Sequence, residues 1–303
     1  MNNTLHQLIK KGSISLFFLF ILFSRLAAQS RFRFVFATDI HLMPANVEAV
    51  HTAIDSINRL SPDFVITGGD LVKDAMHVSL ERADTLYQLY LSTIKRVICP
   101  VYNTMGNHEL FGVSHKSKTD TSHPMFGKRM YEQRIGRRYY SFDHKGWHFV
   151  ILDGVGISAN RKKYFGYVDS LQIAWLQNDL SSIKPETPVC VSVHLPLISV
   201  FASLRSGPLS PMDSGLAVIN AKEVLKVFNG YNLRLVLQGH THFVEAIETN
   251  DVLFLTGGAV AGGRWKGPIG NTKDGFMVID IDGEKIFRRY VKFNNAGRLR
   301  TEE

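Results

Sequence analysis

The sequence predicts an α/β protein in which amphipathic helices cover a β-sheet. Short apolar runs rich in Val, Ile and Phe alternate along the chain with stretches that have helical spacing. Two later segments, 245–258 and 275–293, are typical of hairpins, with turns predicted at Asn250–Asp251 and Asp282–Gly283. These hairpins add antiparallel strands, so we expect a mixed sheet or two stacked sheets. The 303 residues, 45% of them hydrophobic, suffice for one large domain or two small ones.

The first half of the chain alternates strands with helices in a regular way. "RFRFVFATDIH" (31–41) predicts a strand that runs into a loop. "NVEAVHTAIDSINRL" (46–60) places Val47, Val50, Ile54 and Ile57 on one helix face. The remaining predicted elements of this half are the strand 62–70, the helix 80–97, and the strands 100–109 and 148–154.

The second half continues the alternation. The predicted elements are a helix at 169–183 capped by Asp169 or Ser170, a strand at 188–196, a helix at 221–228 and a strand at 233–242. Residues 111–138 and 197–215 fit no element. Loops of that length are either functional rims and lids or plain surface segments.

Residues 1–29 have the layout of a secretory leader. Lys10 and Lys11 precede an apolar run from Ile14 to Phe23, and small residues follow. A membrane span needs ~20 apolar residues, about twice this run, so we expect cleavage near Ala28 or Gln29. The mature domain, 30–303, is then exported to the periplasm or secreted, with no stable membrane span. The alternative is an uncleaved N-terminal anchor.

Charge and cysteine content restrict the class of partner. Removal of the leader takes the formal charge from +8 to +5, which suits an anionic substrate or surface. No stretch combines clustered Lys and Arg with aromatic residues, so we expect no specific nucleic-acid binding. Cys99 and Cys190 lie in apolar runs and are expected to be buried free thiols, with a single disulfide as the alternative. The sequence leaves the oligomeric state open.

Metal-ligand residue types follow the predicted strands. They are Asp39, His41, Asp70, Asn107, His108, His194, His240 and His242. The carboxyl ends of strands form the ligand crevice of open α/β sheets, so we expect these side chains to meet there. Because residues two apart in extended backbone point the same way, His240 and His242 are expected to face one side.

Such a set exceeds what one tetrahedral zinc ion needs. Two divalent ions sharing a bridging carboxylate would use it well. Asp70 suits the bridge, because the two preceding glycines let the backbone crowd the site. Nitrogen-rich, cysteine-free ligation favours manganese, iron or zinc over calcium or magnesium.

The ordered motifs "DIH", "GGD", "GNHE", "VHLP" and "GHTH" between Asp39 and His242 resemble the signature of the calcineurin-like metallophosphoesterase superfamily. The resemblance implies a metallophosphoesterase-type α-β-β-α sandwich of two mixed sheets flanked by helices. It also implies that the substrate is a phosphate ester.

The resemblance also implies a role for each matched residue. One metal is implied to bind Asp39, His41 and His242, the other Asn107, His194 and His240, with Asp70 as the bridge. His108 resembles the histidine near the leaving group, and Glu109 is expected to orient it. Lys73 departs from the family, because protein phosphatases have Asp and purple acid phosphatases have a metal-binding Tyr at this offset. We therefore expect no tyrosinate-bound ferric ion.

The predicted function is an exported, dinuclear-metal-dependent phosphoesterase that hydrolyses phosphate mono- or diesters by attack of a metal-bridging hydroxide. His108 would be the catalytic acid. The glycine-rich segment 256–267 is expected to pass close to the site, with Arg264 or Lys266 as a contact for the substrate phosphate. One alternative is a metal-stabilised, non-catalytic binding or scaffold protein of the same fold. Another is carbohydrate or nucleic-acid binding by the basic surface. The natural substrate stays open.

Overall fold

The computed structural model describes residues 31–158, 160, 163–270, 272–293 and 299–301. The leader predicted at 1–29 lies outside the described residues. Within these ranges, no helix has both the length and the apolar character needed to span a bilayer.

The helices occur where the amphipathic spacing predicts them, and two short ones lie in segments expected to be loops. They are α1 (Val47–Arg59), α2 (Leu80–Ile94), α3 (Arg129–Arg134), α4 (Ser170–Ser181), α5 (Phe201–Ser206) and α6 (Ala221–Val227). The buried face of α1 contains Val50, Ile54 and Ile57. The N-cap of α4 is Asp169, whose side chain accepts a hydrogen bond from the backbone N–H of Gln172. Helices as short as α3 and α5 show too little periodicity to be predicted from sequence.

The described residues form fourteen strands. They are β1 (Arg31–Ala37), β2 (Phe64–Thr67), β3 (Val101–Asn103), β4 (Tyr140–His144), β5 (Trp147–Leu152), β6 (Val155–Ile157), β7 (Tyr164–Gly166), β8 (Val189–Val193), β9 (Leu233–Gln238), β10 (Val244–Thr249), β11 (Val252–Gly257), β12 (Gly275–Asp282), β13 (Lys285–Phe293) and β14 (Leu299–Thr301).

The strands build two mixed sheets, as predicted. The first has the order β14-β13-β12-β1-β2-β3, and its strands β1, β2 and β3 are parallel. The second has the order β10-β11-β9-β8-β5-β4, and its strands β5, β8, β9 and β11 are parallel. Strands β6 and β7 pair separately. The carboxyl ends of the parallel strands carry the candidate ligands.

The interface between the two sheets combines a cluster of aromatic rings with Ile and Leu side chains. Phe32, Phe34 and Phe36 alternate along β1 and pack into the core between the sheets, whereas Val35 belongs to the helix-facing core. The Phe34 ring stacks on Phe64 with 5.0 Å between ring centroids. Phe64 in turn meets Phe149 of the second sheet edge to face, at 5.2 Å. This contact fixes one sheet against the other.

One hairpin turn lies where the sequence predicts it, and the other is shifted by one residue. Thr249 pairs with Val252, so Asn250–Asp251 is the turn, and both residues have positive φ, 49° and 61°. In the second hairpin Asp282 pairs with Lys285, so the turn is 283–284 rather than 282–283. Gly283, with φ 64°, supplies the left-handed residue that opens this turn.

The long segment 111–138 is fixed to the second sheet by a buried ion cluster. Asp153 follows β5 and is fully buried. Its Oδ2 accepts hydrogen bonds from Lys128 Nζ at 2.6 Å and from Arg138 Nη1 at 2.5 Å. The C-terminal part of the segment, which carries Lys128 and Arg138, is therefore held against the sheet. Cys190 is buried and Cys99 half-buried, and both are free thiols, as expected.

Another buried polar contact predicts a pH dependence of stability. His148 on β5 contacts Asp143 Oδ1 at 2.7 Å and Asp179 Oδ2, on α4, at 3.0 Å. Burial alone would lower the pKa of His148, but the two carboxylates raise it above its usual value. The pKa of Asp179 is lowered, because its contact with His148 outweighs its burial.

The raised pKa of His148 means that its stabilisation is complete below the unfolded-state pKa of about 6.5 and is lost as pH rises through the folded-state pKa. We expect His148→Ala to reduce the free energy of unfolding by about 1 kcal/mol more at pH 6 than at pH 9. Urea denaturation at both pH values measures this difference, with His51→Ala as the control. An equal reduction at the two pH values would contradict the prediction.

Candidate metal centre

The structure brings all eight strand-end candidates together at the carboxyl edge of the two sheets. Asp39 and His41 follow β1, Asp70 follows β2, Asn107 and His108 follow β3, His194 follows β8, and His240 and His242 follow β9. Every one of them except His240, which is half-buried, is less than one-tenth exposed. All of them except Asn107 fall into groups whose potential ligand atoms lie within 4.8 Å of one another.

Five of these residues have left-handed backbone. The φ values are 55° for Asp39, 46° for His41, 52° for Asp70, 70° for His240 and 61° for His242. Such conformations are uncommon outside glycine, although Asp and His tolerate them better than most residues, and they cluster at functional sites. The chain thus turns sharply after β1, β2 and β9 and directs these side chains back toward one another.

This backbone corrects the explanation offered for the pair His240 and His242. Strand β9 ends at Gln238, so neither histidine lies in extended backbone. Their rings belong to different groups of side chains: His242 lies with Asp39 and His41, and His240 lies with Asp70 and His194. The turn, rather than strand alternation, determines where the two rings point.

The first group contains Asp39, His41 and His242. His242 Nε2 lies 3.2 Å from Asp39 Oδ1, and the Nε2 atoms of His41 and His242 are 3.1 Å apart. His41 Nε2 is also 3.8 Å from Asp70 Oδ2. Atoms bound to one ion at about 2.1 Å lie roughly 3–3.5 Å from one another, so these spacings suit a shared cation.

The second group contains Asp70, His194 and His240, with potential ligand atoms that lie within 4.8 Å of one another. His194 Nε2 is 3.2 Å from Asp70 Oδ1. Asp70 therefore directs Oδ2 toward the first group and Oδ1 toward the second. Asn107, which follows β3, has a buried Oδ1 without a hydrogen-bond partner among the described residues.

Backbone carbonyl groups orient three of the rings. His194 Nδ1 contacts Gly68 O at 2.7 Å, His240 Nε2 contacts Gly215 O at 2.8 Å, and His242 Nδ1 contacts Gly262 O. A carbonyl oxygen only accepts, so each of these nitrogens carries the proton and donates. The other nitrogen of each ring can then present a lone pair to a metal, as is usual for ligating histidines.

The unsatisfied polar atoms of this region fit a metal ion. Among the described residues, four atoms of the two groups and of Asn107 are buried without a hydrogen-bond partner and belong to the ligand side: Asp39 Oδ1, Asn107 Oδ1, His194 Nε2 and His240 Nδ1. Burying such atoms unpaired is costly, and cations held by the two groups would satisfy them. Carboxylate, amide oxygen and imidazole are ligands that divalent transition metals accept.

The electrostatics also favour a cation. Burial alone would raise the pKa of Asp70, but the neighbouring histidines, His194 first, hold it well below its usual range. Burial alone would lower the pKa of His194, but the charge of Asp70 raises it to about 10. Burial and the charge of His194 lower the pKa of His240 to about 4. In the metal-free protein a protonated His194 thus balances Asp70, and metal binding would release that proton.

Glu109 does not have the role expected from the sequence. Its buried carboxylate contacts the backbone rather than His108: it accepts hydrogen bonds from the N–H groups of Asp70 (3.0 Å), Leu71 (2.7 Å), Val72 (3.1 Å) and Gly106 (2.7 Å). Glu109 therefore fixes the turn that carries Asp70. Burial and the charge of Asp70 raise its pKa to about 8.

His108 is oriented by main chain instead. Its Nδ1 donates to the carbonyl oxygen of Lys73 at 2.6 Å, and its Nε2 lies 3.8 Å from Asp70 Oδ2. The side chain is one-tenth exposed, so it lies at the edge of the ligand groups rather than beneath them.

Two glycines allow this close approach. Gly69 has φ 92°, and a Cβ there would lie 2.6 Å from His194 Nδ1. A Cβ on Gly106 would lie 2.2 Å from the backbone nitrogen of Asp70. Any larger residue at either position would displace a candidate ligand. For Gly69, this supports the expectation that the glycines before Asp70 let the backbone crowd the site.

Sequence reasoning missed two residues of the site. Thr38 Oγ1 donates to Asp39 Oδ2 at 2.6 Å, and its position directly before Asp39 was the only signal. Tyr164 on β7 packs edge to face on His240, with ring centroids 6.1 Å apart. No motif marks Tyr164, because β7 reaches the site from outside the two large sheets.

The glycine-rich segment passes beside the site, as expected. Val260 N–H donates to Thr38 O at 2.9 Å, and Ala261 N–H donates to Asp39 O at 3.1 Å. Arg264 and Lys266 follow on this loop with exposed side chains.

A two-sheet α/β sandwich that gathers buried Asp, Asn and His side chains at its strand ends defines a class of metal-binding protein. Within that class the chain belongs to the calcineurin-like phosphoesterase family, whose profile matches residues 32–244. It is therefore a metal-dependent phosphoric ester hydrolase.

Individual relatives agree with this assignment. A probable cyclic nucleotide phosphodiesterase of Synechococcus sp. is 23% identical over 215 residues, 68% of this chain and 71% of that protein. A probable glycerophosphodiester phosphodiesterase of Arcobacter nitrofigilis is 23% identical over 227 residues, 72% of this chain and 69% of that protein. The crystal structure of a dimetal phosphatase from Danio rerio has a TM-score of 0.58 and 15% identity, covering 85% of this chain and 98% of the other, and so shares the fold.

The contacts of Glu109 predict that Glu109→Gln destabilises the apoprotein. The amide nitrogen of Gln would face two backbone N–H groups that need an acceptor. Leaving those two donors unsatisfied costs about 2–5 kcal/mol. Urea denaturation at pH 9, above the pKa of Glu109, in the presence of a chelator measures this loss, and Glu284→Gln, on the surface, is the matched control. A loss no larger than that of the control would show that Glu109 does not hold the turn.

Proposed function

We propose that this protein is an exported phosphoesterase that uses two divalent metal ions to hydrolyse phosphate mono- or diesters. The observation that carries the proposal is the position of Asp70, whose two oxygens face separate histidine groups. A carboxylate placed in this way can join two cations in one site.

Asp39, His41 and His242 would hold one ion, and Asn107, His194 and His240 would hold the other, with Asp70 between them. Manganese, iron or zinc suits this donor set. Two bound ions would lower the pKa of a water molecule and neutralise charge on the phosphoryl group.

His108 is the group available to protonate the leaving oxygen. Because Nδ1–H donates to the carbonyl of Lys73, a proton carried at Nε2 faces the ligand groups, where the scissile bond must lie. The carbonyl fixes the ring orientation, so Nε2 is held ready for proton transfer.

Two further features support parts of the proposal. The basic and apolar layout of residues 1–29 supports export, with an uncleaved anchor as the alternative form of the same targeting. Both curated relatives are named as phosphodiesterases, which makes diesters the first substrates to assay.

The competing hypothesis is a metal-stabilised binding or scaffold protein without turnover. In such a protein His108, which lies with His41 and Asp70 in a third group of potential ligand atoms, would serve only as a further ligand. The leaving-group dependence described below separates the two hypotheses.

Metal analysis tests the dinuclear site. We expect the purified protein to bind two divalent ions per chain, and we expect Asp70→Asn to bind fewer and to lose activity by at least about 100-fold. Elemental analysis, together with mono- and diester assays before and after chelation, measures both. The control is His144→Ala. His144 pairs with Trp147, the first residue of β5, and so lies at the edge of the sheet opposite the ligand groups. Two ions bound with no turnover of either ester class would favour the binding protein.

The role of His108 predicts a dependence on the leaving group. His108→Ala should lower kcat by about 10²–10⁴-fold for alkyl esters, whose leaving oxygen needs a proton. The loss should be much smaller for p-nitrophenyl esters, which leave readily as anions. Steady-state assays on matched alkyl and p-nitrophenyl esters make the comparison. Equal losses on both would assign His108 to structure rather than to acid catalysis.

A further inference from the structure

Three cationic side chains lie around the ligand groups without forming an ion pair. They are Lys73, Arg264 and Lys266, and none of them lies within 4.0 Å of a carboxylate among the residues that the structure describes. Elsewhere on the protein, cations such as Lys128 and Arg138 are paired with acids. A group of unpaired cations beside a catalytic site is typical of an anion-binding surface.

Lys73 is on the side of the site where the leaving group must depart. It stands three residues after Asp70, and its carbonyl oxygen contacts His108 Nδ1 at 2.6 Å. The half-buried side chain of Lys73 therefore begins next to the proposed acid.

Arg264 and Lys266 stand on a loop with a defined conformation. Arg264 and Trp265 have left-handed backbone, with φ values of 57° and 64°. Gly263 N–H donates to Gly267 O at 2.6 Å, which closes the loop. Trp265 Nε1 donates to Ile40 O at 3.0 Å, between the candidate ligands Asp39 and His41. Strained residues held by such contacts are often functional.

Lys73 and the loop of Arg264 pack against the same short segment. Lys73 N–H donates to Leu42 O at 2.9 Å, two residues after the carbonyl of Ile40 that accepts from Trp265. The electrostatics of Lys73 agree with this arrangement: burial, and then the charges of Arg264 and Lys266, lower its pKa, and the charge of Asp74 opposes the shift.

The like charges of the three cations repel one another, and this repulsion falls when an anion binds between them. In the proposed function, bound metals would take one phosphoryl group. The three cations, of which Lys73 adjoins His108, can therefore recognise a second negative charge on the substrate.

We propose that Lys73, Arg264 and Lys266 bind an anionic group on the leaving side of the substrate. The preferred substrates are then phosphate esters whose alcohol carries a carboxylate or a further phosphate. This proposal rests on the proposed phosphoesterase function and adds the chemical class of its leaving group.

Matched synthetic esters test the proposal. The probes are a phenyl ester of phosphate, the same ester with a carboxylate at the 3-position of the ring, and the same ester with a phosphonate there. They are made as monoesters and as methyl diesters, and kcat/KM is measured in the metal-loaded protein. The ratio of charged to neutral probe, compared between wild type and variants, cancels the intrinsic reactivity of the leaving groups.

We expect the ratio to fall about tenfold in Arg264→Ala/Lys266→Ala and in Lys73→Met, the size of one charge-assisted hydrogen bond. The neutral probe should lose much less, and metal content should not change. Lys285→Ala, beside the β12–β13 turn at the far end of the sheet, is the control and should leave the ratio unchanged. A larger fall with the phosphonate than with the carboxylate identifies a phosphate as the second group.

The outcomes separate the two proposals. An unchanged ratio in both variants, with the neutral probe still hydrolysed, overturns the leaving-group proposal and leaves the phosphoesterase intact. No hydrolysis of any probe by the metal-loaded wild type overturns the phosphoesterase itself, and with it the leaving-group proposal.

Discussion

The site is organised by one requirement: Asp70 must direct its two carboxylate oxygens toward two different groups of histidines. Oδ2 lies 3.8 Å from His41 and Oδ1 lies 3.2 Å from His194, so a small rotation of Asp70 would disturb both groups. Two restraints hold it. Its backbone N–H donates to Glu109, and its Oδ1 accepts from the N–H of His108. The neighbouring glycines keep the space around it open.

This arrangement is costly for the protein without metal. Five candidate ligands adopt left-handed backbone, and several of their buried polar atoms have no partner among the described residues. Each such feature opposes folding by about 1–3 kcal/mol. The aromatic contact between the sheets, built on Phe34, Phe64 and Phe149, supplies stability that does not depend on the site. The site is thus placed on a rigid support whose core lies beneath it.

The sequence predicted more of the site's composition than of its geometry. Strand alternation in β1 and the periodicity of α1 are local patterns, so the sandwich could be predicted. Motif order predicted which residues meet. What failed depended on contacts between distant segments: the turn at His240 and His242, and the backbone contacts of Glu109 across 37–39 residues. Tyr164 had no local signal because only the tertiary fold brings it to His240.

Lys73 connects the departure from the family pattern with the charge of the site. Protein phosphatases, which the motifs resemble, have Asp at this position. Here the contact with His108 Nδ1 comes from the backbone carbonyl of Lys73. Every residue has a backbone carbonyl, so the orientation of His108 does not require any particular side chain at position 73. The side chain is then free to carry a positive charge toward Arg264 and Lys266. The two parts of Lys73 thus have separate tasks: its backbone carbonyl orients the proposed acid, and its ammonium group would contact a negative charge on the departing alcohol. One residue then links the position of the acid with the charge of the leaving group.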